Sequence, residues 1–361
     1  MERPDWLDGT ILKLVEKLRE EYKKLPAKGK EQENEWSILS SFFIVNPKLQ
    51  EVDFICLGTG NKCLSFSHHS QTAVNDSHAE IITKRIFQLF LSEDYKNKNS
   101  KYFEKDQKTG KFRIKSTYKI IMYITEVPCG DCCISKDLEI NDKSEIETGA
   151  KRLVDGDIKR TVSLWEEDDI NSSLGKTRIK PGRGEKSLSM SCSDKILKWN
   201  LIGLQGSILS KYYTKIRPDI ILVEGPLNIE SLARGINERS IKMNAIFLEK
   251  NMSVLPPSFV FEVMRSNIVK KEKKSLSPAG TSINYCYLQS LGEEVTVSAR
   301  GVKFGAGKNV NKKQMSRLSP LLMKEKFDET FGCNETSKDE QYELEKKLFK
   351  ESVDGGWTVK V

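Results

Sequence analysis

The stretch from Tyr118 to Cys132, YKIIMYITEVPCGDC, decides how the rest of the chain is read. YKIIMYITEV is apolar and carries no polar face of helical period, so it reads as a buried strand. Pro128 and Gly130 end that strand abruptly. Cys129 and Cys132 therefore stand where a strand gives way to a helix. Exposed backbone N–H groups and the helix dipole favour a thiolate at such a place.

Upstream, Ser77 opens a helical stretch in which Ile81, Ile82, Arg85, Phe87, Leu89 and Phe90 follow without a breaker. DYKNKNSKYFEKDQKTGK, between this helix and the strand, reads as a solvated loop. Before the helix, the glycines of LGTGNKC mark a tight turn, and WSILSSFFIV and EVDFICLG read as extended. The opening residues form an amphipathic helix with Ile11, Val15, Leu18 and Tyr22 on one stripe.

Downstream, residues from about 138 to 187 are polar and rich in turn formers, which suggests an insertion over the surface. A second long helix is expected from Asp194 to Lys211, with Ile196, Trp199, Ile202 and Leu209 on its apolar face. DIILVEG, SFVFEVM, INYCYLQ and VTVSA read as strands, with a helix between the first two. The C-terminal part is helical again and closes with YELEKKLFKESV and GGWTVKV. Strands mixed with helices on this scale imply one layered α/β domain over residues 1–361.

The composition is that of a soluble protein with a heavily charged surface: 38% hydrophobic and 30% charged residues. No apolar run approaches the length of a membrane-spanning helix. MERPDWLDGT lacks the basic start and apolar core of a secretory signal, so an intracellular protein of cytoplasm or nucleus is expected. Its eight cysteines should then be reduced thiols, some of them metal ligands. With 59 basic against 51 acidic residues the net charge is +8, a modest bias toward a polyanionic partner.

Three segments carry the chemistry: Asn75-Asp76-Ser77-His78-Ala79-Glu80, Pro128-Cys129-Gly130-Asp131-Cys132, and Ser191-Cys192-Ser193-Asp194-Lys195. A catalytic zinc takes three protein ligands from His and Cys and leaves a position for water, whose pKa it lowers. A carboxylate that does not bind the metal must then move the protons. His78 and Glu80, two apart at a helix start, can send an imidazole to the metal and a carboxylate beside the water. Alone, an H-A-E in a helix usually means nothing, and a C-x-x-C is often two buried small side chains. Together, in a chain with only three histidines, they match the H-x-E … P-C-x-x-C signature of zinc nucleobase deaminases. Spacing pairs Cys129 with Cys132 as metal ligands. His68 and His69, in a polar loop, read as surface residues.

At these residues the chain resembles a known family. NDSHAEI, EVPCGD and SMSCSDKILKWNLIGLQGSILS are similar to the deaminase domain shared by double-stranded-RNA adenosine deaminases and tRNA(Ala) adenosine deaminases. TRIKPGRGEKSLSMSCSDK draws the likeness toward the tRNA enzymes, and it runs from LGTGNKC to GGWTVKV. The resemblance implies a cytidine-deaminase-like core, a mixed sheet between helices, with family-specific additions. It also implies His78, Cys129 and Cys192 as zinc ligands, Cys132 as a bystander, and Glu80 as the catalytic acid–base.

A buried inositol hexakisphosphate is likewise implied, at Asn75, Lys84, Arg85, Ser189, Lys195, Lys198, Ser207, Tyr342, Lys346, Trp357 and Lys360. From the residues alone, the lysines of YELEKKLFK would be a solvated helix face. Lys195 and Lys198, however, lie in an otherwise apolar helix, where an unpaired ammonium is costly and a polyphosphate would remove the cost. By resemblance, Asp76 and Lys195 relay between phosphate and zinc.

The implied reaction is hydrolysis of the adenosine C–N bond to give inosine, in tRNA and most specifically at the adenosine 3′ of the anticodon in tRNA(Ala). The catalytic signature begins near residue 56 with no double-stranded-RNA-binding module before it, which favours tRNA over long duplexes. Lys180-Pro181-Gly182-Arg183-Gly184 carries Arg183 where the long-RNA editors use a glutamate to fill the space of the flipped base. Asn61, Lys62 and Arg183 are the expected RNA contacts. The expected partner is tRNA, with no membrane, no DNA and no obligate protein partner. The rival readings are a double-stranded-RNA deaminase, a nucleoside or cytidine deaminase, and a catalytically inactive RNA-binding relative. Intact Glu80 argues against the last.

Overall fold

The structure, a computed structural model, describes residues 3–97, 99–135, 151–154, 157–162, 173–182, 185–225, 228–270, 276–332 and 338–358. The strands that position the site are β1 (Leu39–Asn46), β2 (Glu51–Thr59), β3 (Lys119–Ile124), β4 (Arg178–Pro181), β5 (Lys186–Met190), β6 (Ile220–Glu224), β7 (Phe259–Val263), β8 (Thr281–Cys286), β9 (Glu293–Val297) and β10 (Val302–Lys303). The longer helices are α1 (Trp6–Lys24), α2 (Ala79–Tyr95), α3 (Cys192–Ile202), α4 (Arg239–Glu249), α5 (Pro320–Phe331) and α6 (Glu340–Ser352). One eight-stranded sheet runs β7-β6-β3-β1-β2-β8-β9-β10. β6 is parallel to both β7 and β3, and the pairs from β3–β1 onward are antiparallel. This is the mixed sheet between helices expected of a deaminase-like fold.

The run Ile120–Ile124 is apolar throughout because β3 is covered on both faces. Alternation sends Ile121 and Tyr123 to the side of Leu7, Leu14, Leu18 and Tyr22 of α1. Ile120, Met122 and Ile124 face Ile82, Ile86, Phe87 and Phe90 of α2 and Trp199 of α3. The inner stripe of α1 is set by Leu7, Leu14, Leu18 and Tyr22, with Ile11 and Val15 only partly buried at its edge.

Three expectations are corrected. Within DYKNKNSKYFEKDQKTGK, Tyr102 and Phe103 are buried, and Phe103–Lys105 pairs with Phe112–Ile114 as a hairpin. Aromatic contacts drive this: Tyr102 meets Phe90 and Tyr118, and Phe103 meets Tyr213 edge-on. The helix expected from Asp194 to Lys211 stops at Ile202, where Gly203 at φ +87 caps it, and only Gly206–Leu209 is helical again. The surface insertion is corrected at its C-terminal end. Thr177–Lys180 and Ser187 are buried; the Arg178 amide donates to Asp194 and the Lys180 ammonium pairs with Asp76. Much of 138–172 lies outside the described residues; Lys151–Val154 and Asp157–Val162 pair and extend the edge of β4. No helix among the described residues is long and apolar enough to cross a membrane.

A close approach fixes α2 on the sheet. A Cβ at Gly58 of β2 would lie 2.6 Å from Ile82 Cγ2 and 2.8 Å from the Thr83 amide nitrogen. Thr83 Oγ1 donates to the Ser40 carbonyl at 2.9 Å, so the helix cannot slide away. Gly58→Ala should therefore destabilise the fold by about 1–3 kcal/mol through overpacking. Gly9→Ala, with nothing within 4 Å of the added methyl, should be neutral or mildly stabilising. Thermal unfolding of the two variants checks this; equal midpoints would contradict it.

Candidate active site

The start of α2 is held from both sides. Cys63 and Asp76 form an antiparallel bridge, and the Leu64 amide donates to the Asn75 carbonyl at 2.9 Å. The Ala79 amide donates to the Gly60 carbonyl at 2.9 Å. His78 becomes the N-cap with extended backbone, and its amide donates to Asp76 Oδ1 at 3.1 Å. Glu80 falls in the first helical turn, 2% exposed.

The turn after β3 docks on the N-terminus of α3. Gly130, at φ +104, lets the chain pass so close that a Cβ there would lie 2.2 Å from Ser191 Oγ. Ser193 Oγ donates to the Pro128 and Cys129 carbonyls at 3.1 and 2.8 Å and accepts from the Cys132 amide at 3.2 Å. The Cys192 amide donates to Cys129 Sγ at 3.3 Å, so the thiol of Cys129 sits on unsatisfied helix N–H groups. α3 itself is fixed by Asp194, which accepts from the Arg178 amide at 2.9 Å and from Arg239 of α4 at 2.7 Å.

These two constructions converge. One side-chain ligand atom each from His78, Cys129 and Cys192 lies within 4.8 Å of the others. Cys192 Sγ is 3.6 Å and Cys129 Sγ 4.0 Å from His78 Nδ1. Tetrahedral zinc with bonds of about 2.0–2.3 Å needs ligand separations of about 3.5–3.8 Å, so this donor set fits the ion. A hydrogen bond from Cys192, aided by the Lys180 and His78 charges against burial, holds the Cys129 thiol well below its ordinary value. Burial pushes the Cys192 thiol up. Cys132 lies elsewhere: its Sγ packs where a Gly235 Cβ would be, at 2.4 Å, and burial raises its thiol to about 12. Of the two alternatives that C-x-x-C spacing and resemblance left open, it is Cys192 that clusters with His78 and Cys129 in a group that could hold a metal ion.

Beside the trio lies a buried carboxyl. Burial raises Glu80 above the usual carboxylate range, with the His78 charge opposing. Its Oε2 has no hydrogen-bond partner among the described residues. A buried carboxyl whose affinity for a proton is raised and whose Oε2 has no fixed partner is suited to exchange protons with a bound molecule.

Asp76 joins the site to its surroundings. Its carboxylate pairs with Lys180 of β4 at 2.9 Å and with Lys195 of α3. Burial alone would raise Asp76, but the two lysines outweigh it and hold the group far below the carboxylate range. Burial would lower Lys180, 1% exposed, yet Asp76 and the two thiols raise it. Sequence reasoning missed Lys180 as a site residue. The available signal was its place two residues after Arg178 in TRIKPGRG, a charged alternation beside the S-C-S-D-K segment.

The remaining candidates fall into two groups. Lys84 reaches the Gly206 turn, where an added Cβ would be 3.7 Å from its Nζ. Burial and the charges of Lys198, Arg85, Lys195 and Lys346 push Lys84 well below its ordinary value. Lys198 lies 5.6 Å over the Trp357 ring, Tyr342 and Ser189 are buried, and the Ser207 carbonyl accepts from Asp339 ahead of α6. Lys346 pairs with Glu343 at 2.9 Å, Arg85 Nε points at Met323 Sδ, and the Asn75 amide closes the Ser70 turn. Lys360 lies outside the described residues. Of the RNA candidates, Asn61 Nδ2 donates to the Trp36 carbonyl at 3.2 Å, Lys62 is partly exposed, and Arg183 lies outside the described residues.

The chain belongs to the adenosine-deaminase (editase) domain family, whose pattern it matches over residues 56–352. It is 32% identical over 218 residues to tRNA-specific adenosine deaminase 1 of Drosophila melanogaster, covering 57% of this chain and 52% of that protein. To the double-stranded RNA-specific adenosine deaminase of Mus musculus it is 28% identical over 329 residues, covering 83% and 27%. The mouse tRNA-specific adenosine deaminase 1 is 22% identical over 422 residues, with 84% of each chain covered. The chain thus spans about half of the fruit-fly relative and about a quarter of the mouse double-stranded-RNA one.

Metal content distinguishes the ligand sets. Cys192→Ala should lose bound zinc on purification, whereas Cys132→Ala should keep one equivalent, both read by elemental analysis. Zinc retained in the first and lost in the second would contradict the geometry.

Proposed function

We propose that this chain is a zinc-dependent hydrolase that deaminates adenosine to inosine in RNA, with tRNA as its substrate. The observation that carries the reading is the convergence of His78, Cys129 and Cys192 beside the buried Glu80, whose Oε2 has no hydrogen-bond partner among the described residues, in a chain of the editase family. Bound by this trio, zinc would supply the Lewis acidity that makes water nucleophilic at neutral pH. Glu80 takes the proton released as water adds to C6 of the purine and delivers it to N1. It then takes the remaining proton from the C6 hydroxyl and passes it to the departing amine as the C6–N bond breaks and the C6 carbonyl forms, so adenosine and water give inosine and ammonia. Lys180 and Asp76 fix the polar floor on which Glu80 and the ligands sit.

Relatives acting on tRNA and on double-stranded RNA both resemble the chain, and the tRNA reading is favoured by the K-P-G-R-G segment. Its finest form is the adenosine 3′ of the anticodon in tRNA(Ala), an already unpaired base that costs little to extrude. Lys62 and Arg183 would contribute phosphate contacts, so binding should weaken steeply with salt.

A second ligand belongs to this reading. Lys84, Lys195, Lys198 and Lys346 crowd one region against their mutual repulsion, as a polyanion such as inositol hexakisphosphate would require. It would act structurally, with Asp76 and Lys195 linking it to the site. Phosphorus analysis of the denatured protein should find an inositol polyphosphate, and Lys195→Ala should lower both phosphorus content and thermal stability. An active, phosphorus-free preparation would overturn this part.

The catalytic test incubates purified protein with bulk tRNA and sequences the product for A-to-G changes. Wild type should convert an anticodon-loop adenosine, and Glu80→Ala should lose on the order of 10²–10⁴-fold in rate while keeping its zinc. Faster turnover on a long RNA duplex would assign the substrate to the double-stranded class instead. A Glu80→Ala rate within about tenfold of wild type would remove that residue from the chemistry.

A further inference from the structure

Phe66 opens the short helical turn Phe66–His68 and is 52% exposed, in the polar stretch SFSHHS. The turn bearing it is braced. Ser65 Oγ bonds His68 Nδ1 at 2.8 Å, and Ser67 Oγ donates to Glu185 Oε2 at 2.7 Å. Gly182 packs so closely on Ser65 that a Cβ there would lie 2.7 Å from Ser65 Cα. Cys63 Sγ donates to the Pro181 carbonyl at 3.0 Å. The turn is therefore clamped to the strand that delivers Lys180, and it follows directly on the Cys63–Asp76 bridge beside His78.

A phenylalanine normally goes into the core, and here the fold builds a rigid polar cradle that holds the ring half out of it. Lys62 lies on the same connection, next to the Cys63–Asp76 bridge beside His78, and brings a positive charge to this stretch of chain. An exposed aromatic face flanked by positive charge is the arrangement that stacks unpaired bases beside a phosphate backbone. We infer that Phe66 is the platform on which a base flanking the target adenosine stacks when RNA is bound. This inference rests on the proposed action on RNA. It assigns Phe66 a part in choosing among RNA sequences, with purine neighbours favoured because they present the larger π-face.

The test uses full-length protein and an RNA stem-loop carrying 2-aminopurine 5′ or 3′ of the target adenosine, bound to a Glu80→Gln variant so that no turnover intervenes. With Phe66 present, fluorescence at one of the two positions should be quenched on binding. Phe66→Ala should abolish that quench, and Phe66→Tyr should restore it. On unlabelled RNA in the active background, Phe66→Ala should lower kcat/KM on the order of tenfold, mostly through KM, and Phe66→Tyr should stay near wild type. Equal quenching with and without the ring, at both positions, would overturn the inference. So would an alanine variant whose kcat/KM stays within about twofold of wild type. Wild-type protein that turns over no RNA adenosine would refute the deaminase reading, while the fluorescence comparison would still decide the stacking.

Discussion

A single buried carboxylate holds the site together. Asp76 caps the start of α2 through the His78 amide and pairs with Lys180 of β4 and Lys195 of α3. Three separate parts of the chain, each carrying a site residue, meet at its two oxygens. Removing one partner of a buried ion pair typically costs about 3–5 kcal/mol because the other charge is left uncompensated. Here three charges are interlocked, so α2, β4 and α3 cannot shift independently. Rigidity of this kind keeps catalytic groups within the fraction of an ångström that chemistry needs.

Around this anchor the three proposed metal ligands come from three different elements. His78 stands at the N-terminus of one helix and Cys192 at that of another, while Cys129 hangs from the end of β3. Two helix N-termini aimed at one point favour anionic ligands there. The same field steadies thiolates, while burial works the other way on the neighbouring Glu80 carboxyl and raises its affinity for a proton. At Lys84 the converse holds: burial and the charges of neighbouring lysines and Arg85 make its positive charge costly.

Much of the fold was legible because its signals are local. The apolar run of β3, the extended stretches of β1 and β2 and the stripe of α1 depend on residues a few positions apart. What escaped depends on partners far along the chain. Tyr102 and Phe103 lie in lysine-rich sequence and are buried because Phe90, Tyr118 and Tyr213 surround them. Gly203 broke a helix whose apolar pattern continued unbroken past it. Lys180 looked like a surface lysine until Asp76, 104 positions away, supplied its counter-charge. The choice between Cys132 and Cys192 was hidden in the same way, because spacing does not say which way a thiol points. It is Gly235, in the π-helical turn Ala233–Glu238, that makes room for the Cys132 sulfur away from His78.

The central claim is that one imidazole and two thiolates form a zinc site beside Glu80. X-ray absorption at the zinc edge of the purified protein tests it most directly. The account expects two sulfur neighbours at about 2.3 Å and nitrogen or oxygen neighbours at about 2.0–2.1 Å completing four-coordination. Three sulfur neighbours, or an active protein with no zinc signal, would contradict it.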